Sequence, residues 1–166
     1  LAALIYLEDP LFQIKNHLRV KIVDSIERTY DHIFMNINSK YICGKLEELG
    51  ATPRKSLTLK FPEWLTDPEL QRHFIRGYYD GDGGTFVSDE SGHGATSSIV
   101  GTKEFCQSLI DIIEHQADVR FGDPYKTLNT DSDVWRTYKC GNRQVEKFLL
   151  WLYKSPMTIR MDRKYD

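Results

Sequence analysis

The chain has only three cysteines, Cys43, Cys106 and Cys140, scattered singly, odd in number and without a CxxC pair. That excludes a disulfide framework and a cysteine-ligated zinc site, and it reads as reduced, buried thiols in an intracellular protein. No run of about 18 apolar residues occurs, so nothing in the sequence reads as a membrane-spanning helix. The opening residues, LAALIYLEDP, are apolar but lack a basic leader and a small-residue cleavage site, so they do not read as a signal peptide. A positive charge excess is missing too. The net charge is −2, which weighs mildly against a nucleic-acid partner if charge is evenly spread.

It is not evenly spread. From Arg136 to Lys164 there are eight bases (Arg136, Lys139, Arg143, Lys147, Lys154, Arg160, Arg163, Lys164) against two acids, Glu146 and Asp162. Such an excess can face phosphates, although a solvated helix face looks similar. At 166 residues, 40% hydrophobic and 28% charged, the chain is long enough for one or two small domains with a core and no covalent staples.

Periodicity gives the order of elements. Glu8-Asp9-Pro10 predicts a helix start, with Leu11, Ile14 and Leu18 at helical spacing behind it. VKIVDSI and HIFMNIN alternate as two strands, with a turn expected around Arg28 to Asp31. A short helix follows from Lys40 to Leu49, closed by Gly50. ATPRKSLTLKFPEW is a connector. Asp67-Pro68-Glu69 starts a second helix, which carries Leu70, Phe74, Ile75 and Tyr78 towards the glycines at 81, 83 and 84. TFVSDE and ATSSIVG predict a hairpin around Ser91 to Gly94. A helix from Lys103 to about Gln116, strands near VRFGDPYKTL and DVWRTYKC, and a helix from Arg143 to Tyr153 complete the chain. Strand-strand-helix ending at Gly50 and strand-strand-helix ending near Tyr153 form a loose repeat. It suggests a pseudo-two-fold α+β molecule built from αββαββα units.

FIRGYYDGDGG, Phe74 to Gly84, breaks local rules. Gly77 lies inside a helix, at about 0.5–1 kcal/mol relative to alanine. Gly77 and Gly81 share a face and leave it nearly bare, so another backbone can approach closely. Asp80 and Asp82 sit at the negative end of the helix dipole, where an anion is disfavoured by roughly 0.3–1 kcal/mol. A divalent cation there would reverse that sign. A twin helix on the bare face would bring up a second acid, and two carboxylates can hold Mg²⁺ in a hard oxygen shell. Read without chemistry, DGDGG is a glycine-rich turn after a helix. An EF-hand fails, because Thr85 and Ser91 occupy the positions that need glycine and glutamate. A phosphate loop fails because no Gly-Lys-Ser/Thr follows.

IRGYYDGDG, Ile75 to Gly83, resembles the motif that names the LAGLIDADG homing endonucleases. Gly77 falls on the motif's first glycine, Asp82 on its final acid and Gly83 on its last glycine. KSLTLKFPE, SIVGTKEF and QVEKFLLWLY extend the likeness over most of the chain. The resemblance implies an antiparallel saddle of strands in the DNA major groove, packed on two motif helices that each deliver one acid. It implies site-specific, metal-dependent cleavage of double-stranded DNA. Asp82 would bind Mg²⁺ or another divalent cation, with the Gly81 carbonyl beside it, and Gly77 and Gly81 would pack the helices. Asp80 falls on a position that is not the catalytic acid, which implies a cap or solvent role. Lys139, with Lys40 as its counterpart in the first half, fits a lysine that polarises the attacking water. Arg120, Lys126, Arg136 and Tyr138 in the saddle strands, and Arg143 after them, are the DNA-contact candidates.

Only one clear motif is visible. LAALIYLED can be aligned to it with Glu8 in the acid slot, but Ala3, Asp9 and Pro10 break the match. The expectation is therefore a partial first half-unit over residues 1–66 and a complete unit over 67–166, with the second acid coming from a homodimer partner or an absent first motif. Such a chain alone would bind DNA weakly and cleave poorly. A non-catalytic DNA-binding regulator and an RNA-binding intron maturase use the same fold and are the alternatives. A protein-interaction module with an aromatic surface is a third class, since the chain has nine tyrosines and three tryptophans.

Overall fold

Most of the alternating segments reappear as strands and most segments with helical period as helices, with two exceptions, over residues 12–23 and ahead of Tyr125. The structure, a computed structural model, describes residues 12–23, 26–52, 58–88, 94–126 and 134–154. Its contacts divide the chain into two units, Leu1–Ala51 and Thr52–Asp166.

The first unit contains a long antiparallel hairpin of β1 (Phe12–Val23) and β2 (Ile26–Ile37), then α1 (Lys40–Glu48). Ser39 caps α1 by accepting from the Ile42 amide at 3.3 Å, and Gly50 follows it as expected. Two expectations are corrected here. No helix carries Ile14 and Leu18, since residues 12–23 are strand, while the expected start at Glu8-Asp9-Pro10 lies outside the described residues. Ile14 and Leu18 are four apart, which fits a period of 2 as well as 3.6, and Phe12, Val20 and Ile22 fall on the same alternation. Nor does the chain turn at Arg28 to Asp31, which lie within β2. The antiparallel register continues past them to the pair Val23 and Ile26.

The second unit runs α2 (Pro68–Asp82), β3 (Gly84–Ser88), β4 (Gly94–Gly101), α3 (Lys103–Ala117), β5 (Tyr125–Lys126), β6 (Trp135–Cys140) and α4 (Asn142–Leu152). This is one αββαββα unit, α+β in class. Its sheet has the order β3-β4-β6-β5, and every pairing is antiparallel.

The core lies between the helices and one face of the sheet. Ile75 and Tyr79 of α2, Phe105, Leu109 and Ile113 of α3, Phe148 and Leu152 of α4, and Ile99 of β4 are all buried. Phe148 is central: its ring meets Tyr79 at 5.3 Å and Phe121 at 5.0 Å, both edge-to-face. Such pairs add about 0.5–1.5 kcal/mol to their burial. Both long helix starts are capped. Asp67 accepts from the Leu70 amide at 2.9 Å. Thr102 accepts from the Phe105 amide at 3.1 Å and donates to the Leu59 carbonyl at 2.6 Å, so one hydroxyl caps α3 and fixes the connector.

The strand expected over VRFGDPYKTL is shorter than its pattern. Val119 and Phe121 are buried, but among the described residues only Tyr125 and Lys126 join the ladder. Pro124 has no N–H to give to a ladder. Gly122 is tied to β6 instead, by its amide on the Tyr138 carbonyl at 2.9 Å and by the Thr137 hydroxyl on its own carbonyl at 2.6 Å. Arg120 therefore lies outside any strand. Of the three thiols, Cys106 is buried, Cys140 half-buried and Cys43 exposed, which corrects the expectation that all are buried.

Candidate metal and nucleic-acid site

The last turn of α2 is fastened from several sides. The Tyr78 hydroxyl donates to the Val100 carbonyl at 2.7 Å. Tyr79, fully buried, has its hydroxyl bonded to Ser97 Oγ at 3.0 Å and to Thr85 Oγ1, and those two hydroxyls bond each other at 3.2 Å. The Tyr153 hydroxyl, from the end of α4, donates to Asp80 Oδ1 at 2.6 Å. Burial raises all three phenols above their ordinary pKa. The Asp82 carboxylate adds to the shift on Tyr78, and the bond to Asp80 adds to that on Tyr153. These phenols stay protonated.

Asp80 is therefore neither a cap nor solvent-directed; its carboxylate is taken up by Tyr153. Asp82 is exposed and makes no hydrogen bond or ion pair among the described residues. Gly83 ends the helix with its amide on the Tyr79 carbonyl at 2.9 Å. Gly77 and Gly81 are exposed, and a Cβ at either would meet nothing within 4 Å. The helix face they share is open among the described residues.

On the sheet, parity separates two sets of residues. Ser97, Ile99 and Thr137 face the core. Phe86, Thr96, Ser98, Tyr125, Arg136, Tyr138 and Cys140 line a shallow concavity of about 530 Å³ on the other side. Arg136 and Tyr138, both expected to contact DNA, share this concavity. Lys126 does not: it pairs with Trp135, while its neighbour Tyr125 pairs with Arg136. Lys139 pairs with Ser97, which pairs with Thr85. That row lies on the side of the last turn of α2. Arg143 is exposed in the first turn of α4, and Lys40 is exposed as the first residue of α1 in the other unit. Arg120 is held by Glu114 at 2.6 Å and Asp123 at 3.4 Å.

The basic stretch after Arg136 does not form one surface. Arg136 and Lys139 lie on opposite sides of the sheet, and Lys147 is paired with Asp118 at 2.6 Å. Arg160, Arg163 and Lys164 lie outside the described residues. Phe86, Tyr125, Thr96, Ser98 and Cys140 were not singled out from sequence. Alternation marks them, but only once register and the core face are known. Tyr153 carries no sequence signal at all, since its partner is on another helix.

As a metal ligand set, the described residues at the tip of α2 offer one exposed, unpaired carboxylate. Asp82 is a free carboxylate at the carbonyl end of a helix, a suitable hard-oxygen donor for a divalent cation. Among the described residues no group of three or more His, Cys, Asp or Glu side chains could hold a metal ion. No helix among them is long and apolar enough to cross a membrane.

No protein-family model matches the sequence, and no curated protein matches it. Among solved structures the chain is similar to a homing endonuclease, I-TnaI, at 17% identity and a TM-score of 0.37. The similarity covers 60% of this chain and 63% of that one, so the chain spans less than two thirds of that protein.

Proposed function

We propose that the chain is a site-specific endonuclease of double-stranded DNA, of the LAGLIDADG homing kind, whose hydrolysis of the phosphodiester depends on a divalent metal. The observation that carries this reading is the contrast at the tip of α2. Four tyrosine-hydroxyl contacts immobilise the turn, yet the Asp82 carboxylate itself is left exposed and unused.

Asp82 and the main-chain carbonyl of Gly81 would hold a Mg²⁺ ion. When bound, such an ion polarises the phosphate and lowers the pKa of water. A second carboxylate comes from another subunit, whose helix packs on the open Gly77/Gly81 face. Lys139 lies on the side of the sheet where this chemistry takes place, and its ammonium supports the developing negative charge; Lys40 is the matching lysine of the first unit. Arg136 and Tyr138 contact the nucleic acid from the sheet concavity, with Arg143 at its margin. Lys126 and Arg120, turned away or already paired, contribute less.

A pool of duplexes with randomised sequence, incubated with protein and Mg²⁺, tests the proposal. Cleaved members should be recovered with the native chain and not with Asp82→Asn, whose duplex affinity should be unchanged. Asp82→Asn retaining cleavage would overturn the assignment.

One observation favours a second reading, a non-catalytic regulator or an RNA-binding intron maturase. With Asp80 engaged by Tyr153, a single free acid stands at the tip. On that reading the native chain binds nucleic acid in a salt-dependent way and cleaves nothing, with or without metal.

A further inference from the structure

We infer that the outer face of the sheet reads two features of a closed duplex through its major groove: a guanine, by Arg136, and the C5 methyl of a thymine, by the row of Phe86, Thr96 and Cys140. This rests on the proposed reading of the chain as an endonuclease of double-stranded DNA, and it names which residues set the preferred sequence and for which bases.

Register places the two readers. Arg136 of β6 stands opposite Tyr125 of β5. Four residues further along β6, Cys140 stands opposite Thr96 of β4, which in turn stands opposite Phe86 of β3. All five line the same concavity. Its end at Arg136 is polar. The guanidinium is exposed and makes no hydrogen bond or ion pair among the described residues. Cross-strand Cβ atoms lie about 4.5–5.5 Å apart, so the stem of Arg136 has Tyr125 beside it. That ring is itself braced edge-to-face against Tyr138, with centroids 5.8 Å apart. A free planar fork suits the paired acceptors O6 and N7 of guanine, a pair that no other base presents in the major groove.

The end at Phe86 is apolar. Its phenyl ring is 54% exposed, while the Thr96 hydroxyl donates to the Cys140 sulfur at 3.4 Å. A ring, a thiol and a hydroxyl already engaged offer little to the polar edges of bases, and an exposed ring gains by covering a methyl group. Thymine is the DNA base that carries one in this groove. The two ends lie about 13 Å apart along the strand, and Phe86 stands two strands to the side, about 10 Å. At about 3.4 Å of rise per base pair, the two contacts fall about three to five base pairs apart.

The test selects by binding from a pool of duplexes with a randomised core, in EDTA so that nothing is cut, and sequences what the native chain retains. A guanine and a thymine should be enriched about three to five base pairs apart. Arg136→Gln should abolish the guanine preference alone, a loss of about fivefold to a hundredfold in discrimination at that position. Phe86→Ala should abolish the thymine preference alone. On a retained duplex, deoxyuridine in place of that thymine removes only the methyl. The exchange should weaken binding by the native chain about fourfold, and by Phe86→Ala less than about twofold. The deoxyuridine arm on the native chain leaves the protein unaltered, so it reads the contact whether or not a variant folds. Deoxyuridine bound as tightly as thymine, or a guanine preference that survives Arg136→Gln, overturns the inference. Retained duplexes whose preferences neither substitution touches remove this inference alone. A pool from which the native chain retains nothing removes the proposed function with it.

Discussion

Replacing Gly83 by alanine separates a steric clash from the other effects of changing a glycine. The backbone there, φ −81° and ψ 169°, is ordinary for any residue, so no conformational strain enters. The added Cβ would lie 2.3 Å from Tyr79 Cδ2 and 2.7 Å from its Cε2 and Cγ. That ring cannot swing aside. It is fully buried, its hydroxyl is bonded to Ser97 and Thr85, and its edge meets Phe148 at 5.3 Å. Either the ring or the last turn of α2 must move. Overpacking of this kind costs about 1–3 kcal/mol, and the upper end applies because the hydroxyl bonds are stretched as well. Gly77→Ala, six residues earlier, should do the opposite. Its methyl meets nothing within 4 Å, and alanine in a helix interior is favoured by about 0.5–1 kcal/mol. Urea unfolding followed by circular dichroism should move the midpoint down for Gly83→Ala and up for Gly77→Ala at constant m. Gly83→Ala within 0.5 kcal/mol of the native chain (roughly the scatter of neutral substitutions) would refute the packing argument.

Tyr153→Phe should lower stability by about 1.5 kcal/mol, since it deletes one hydrogen bond to a charged acceptor, and thermal unfolding measures it. No change would mean that water replaces the hydroxyl at Asp80 without loss. At alkaline pH the sign follows from the raised acid groups. Burial pushes the Cys106 thiol up from 9.0 to about 11, so between those values the folded chain holds a proton that the unfolded chain releases. Stability should therefore fall as pH rises through that window, and the buried phenols, raised above 10.0, extend the fall upwards. Stability that is flat or rising from about pH 9 to 11 would contradict it.

What could be read from the sequence was whatever depends on local pattern. Asp67-Pro68 announced α2, because a cap and a first-turn proline act within four residues of each other. Phe105, Leu109, Ile112 and Ile113 mark the inner face of α3 for the same reason; three of them are buried and Ile112 is partly buried against the same core. Pattern failed where two periods coincide, as at Ile14 and Leu18. It also failed where one residue lacking an N–H overrides an apolar run, as Pro124 does before β5. Candidate site residues divide along the same line. Asp82, Gly77 and Gly81 were visible as violations of local preference. The separation of Arg136 and Tyr138 from Lys126 and Lys139 needed a register, which is a non-local quantity: a one-residue shift exchanges the two sets. Tyr153 needed the packing of α4 against α2, and no spacing along the chain encodes that.

The arrangement around Asp82 carries a functional argument that does not depend on any motif. A helix end carrying two acids and three glycines frays readily: its last carbonyls lack partners, its anions oppose the dipole, and its glycines favour the unfolded chain. Here that end is instead held by Tyr78 on β4, by Tyr79 on β3 and β4 and by Tyr153 from α4. Stability alone could be obtained more simply, by replacing the acids and the exposed glycines with alanine. A turn that keeps these unfavourable residues and is then pinned by phenols of raised pKa is suited to presenting a carboxylate at a fixed position. On the proposed reading, rigidity around Asp82 would lower the conformational entropy lost if a cation and a phosphate engaged it. The same pinning leaves Gly77 and Gly81 undisturbed on the neighbouring face, so that the acid and the surface on which a second helix would pack are fixed by one set of bonds.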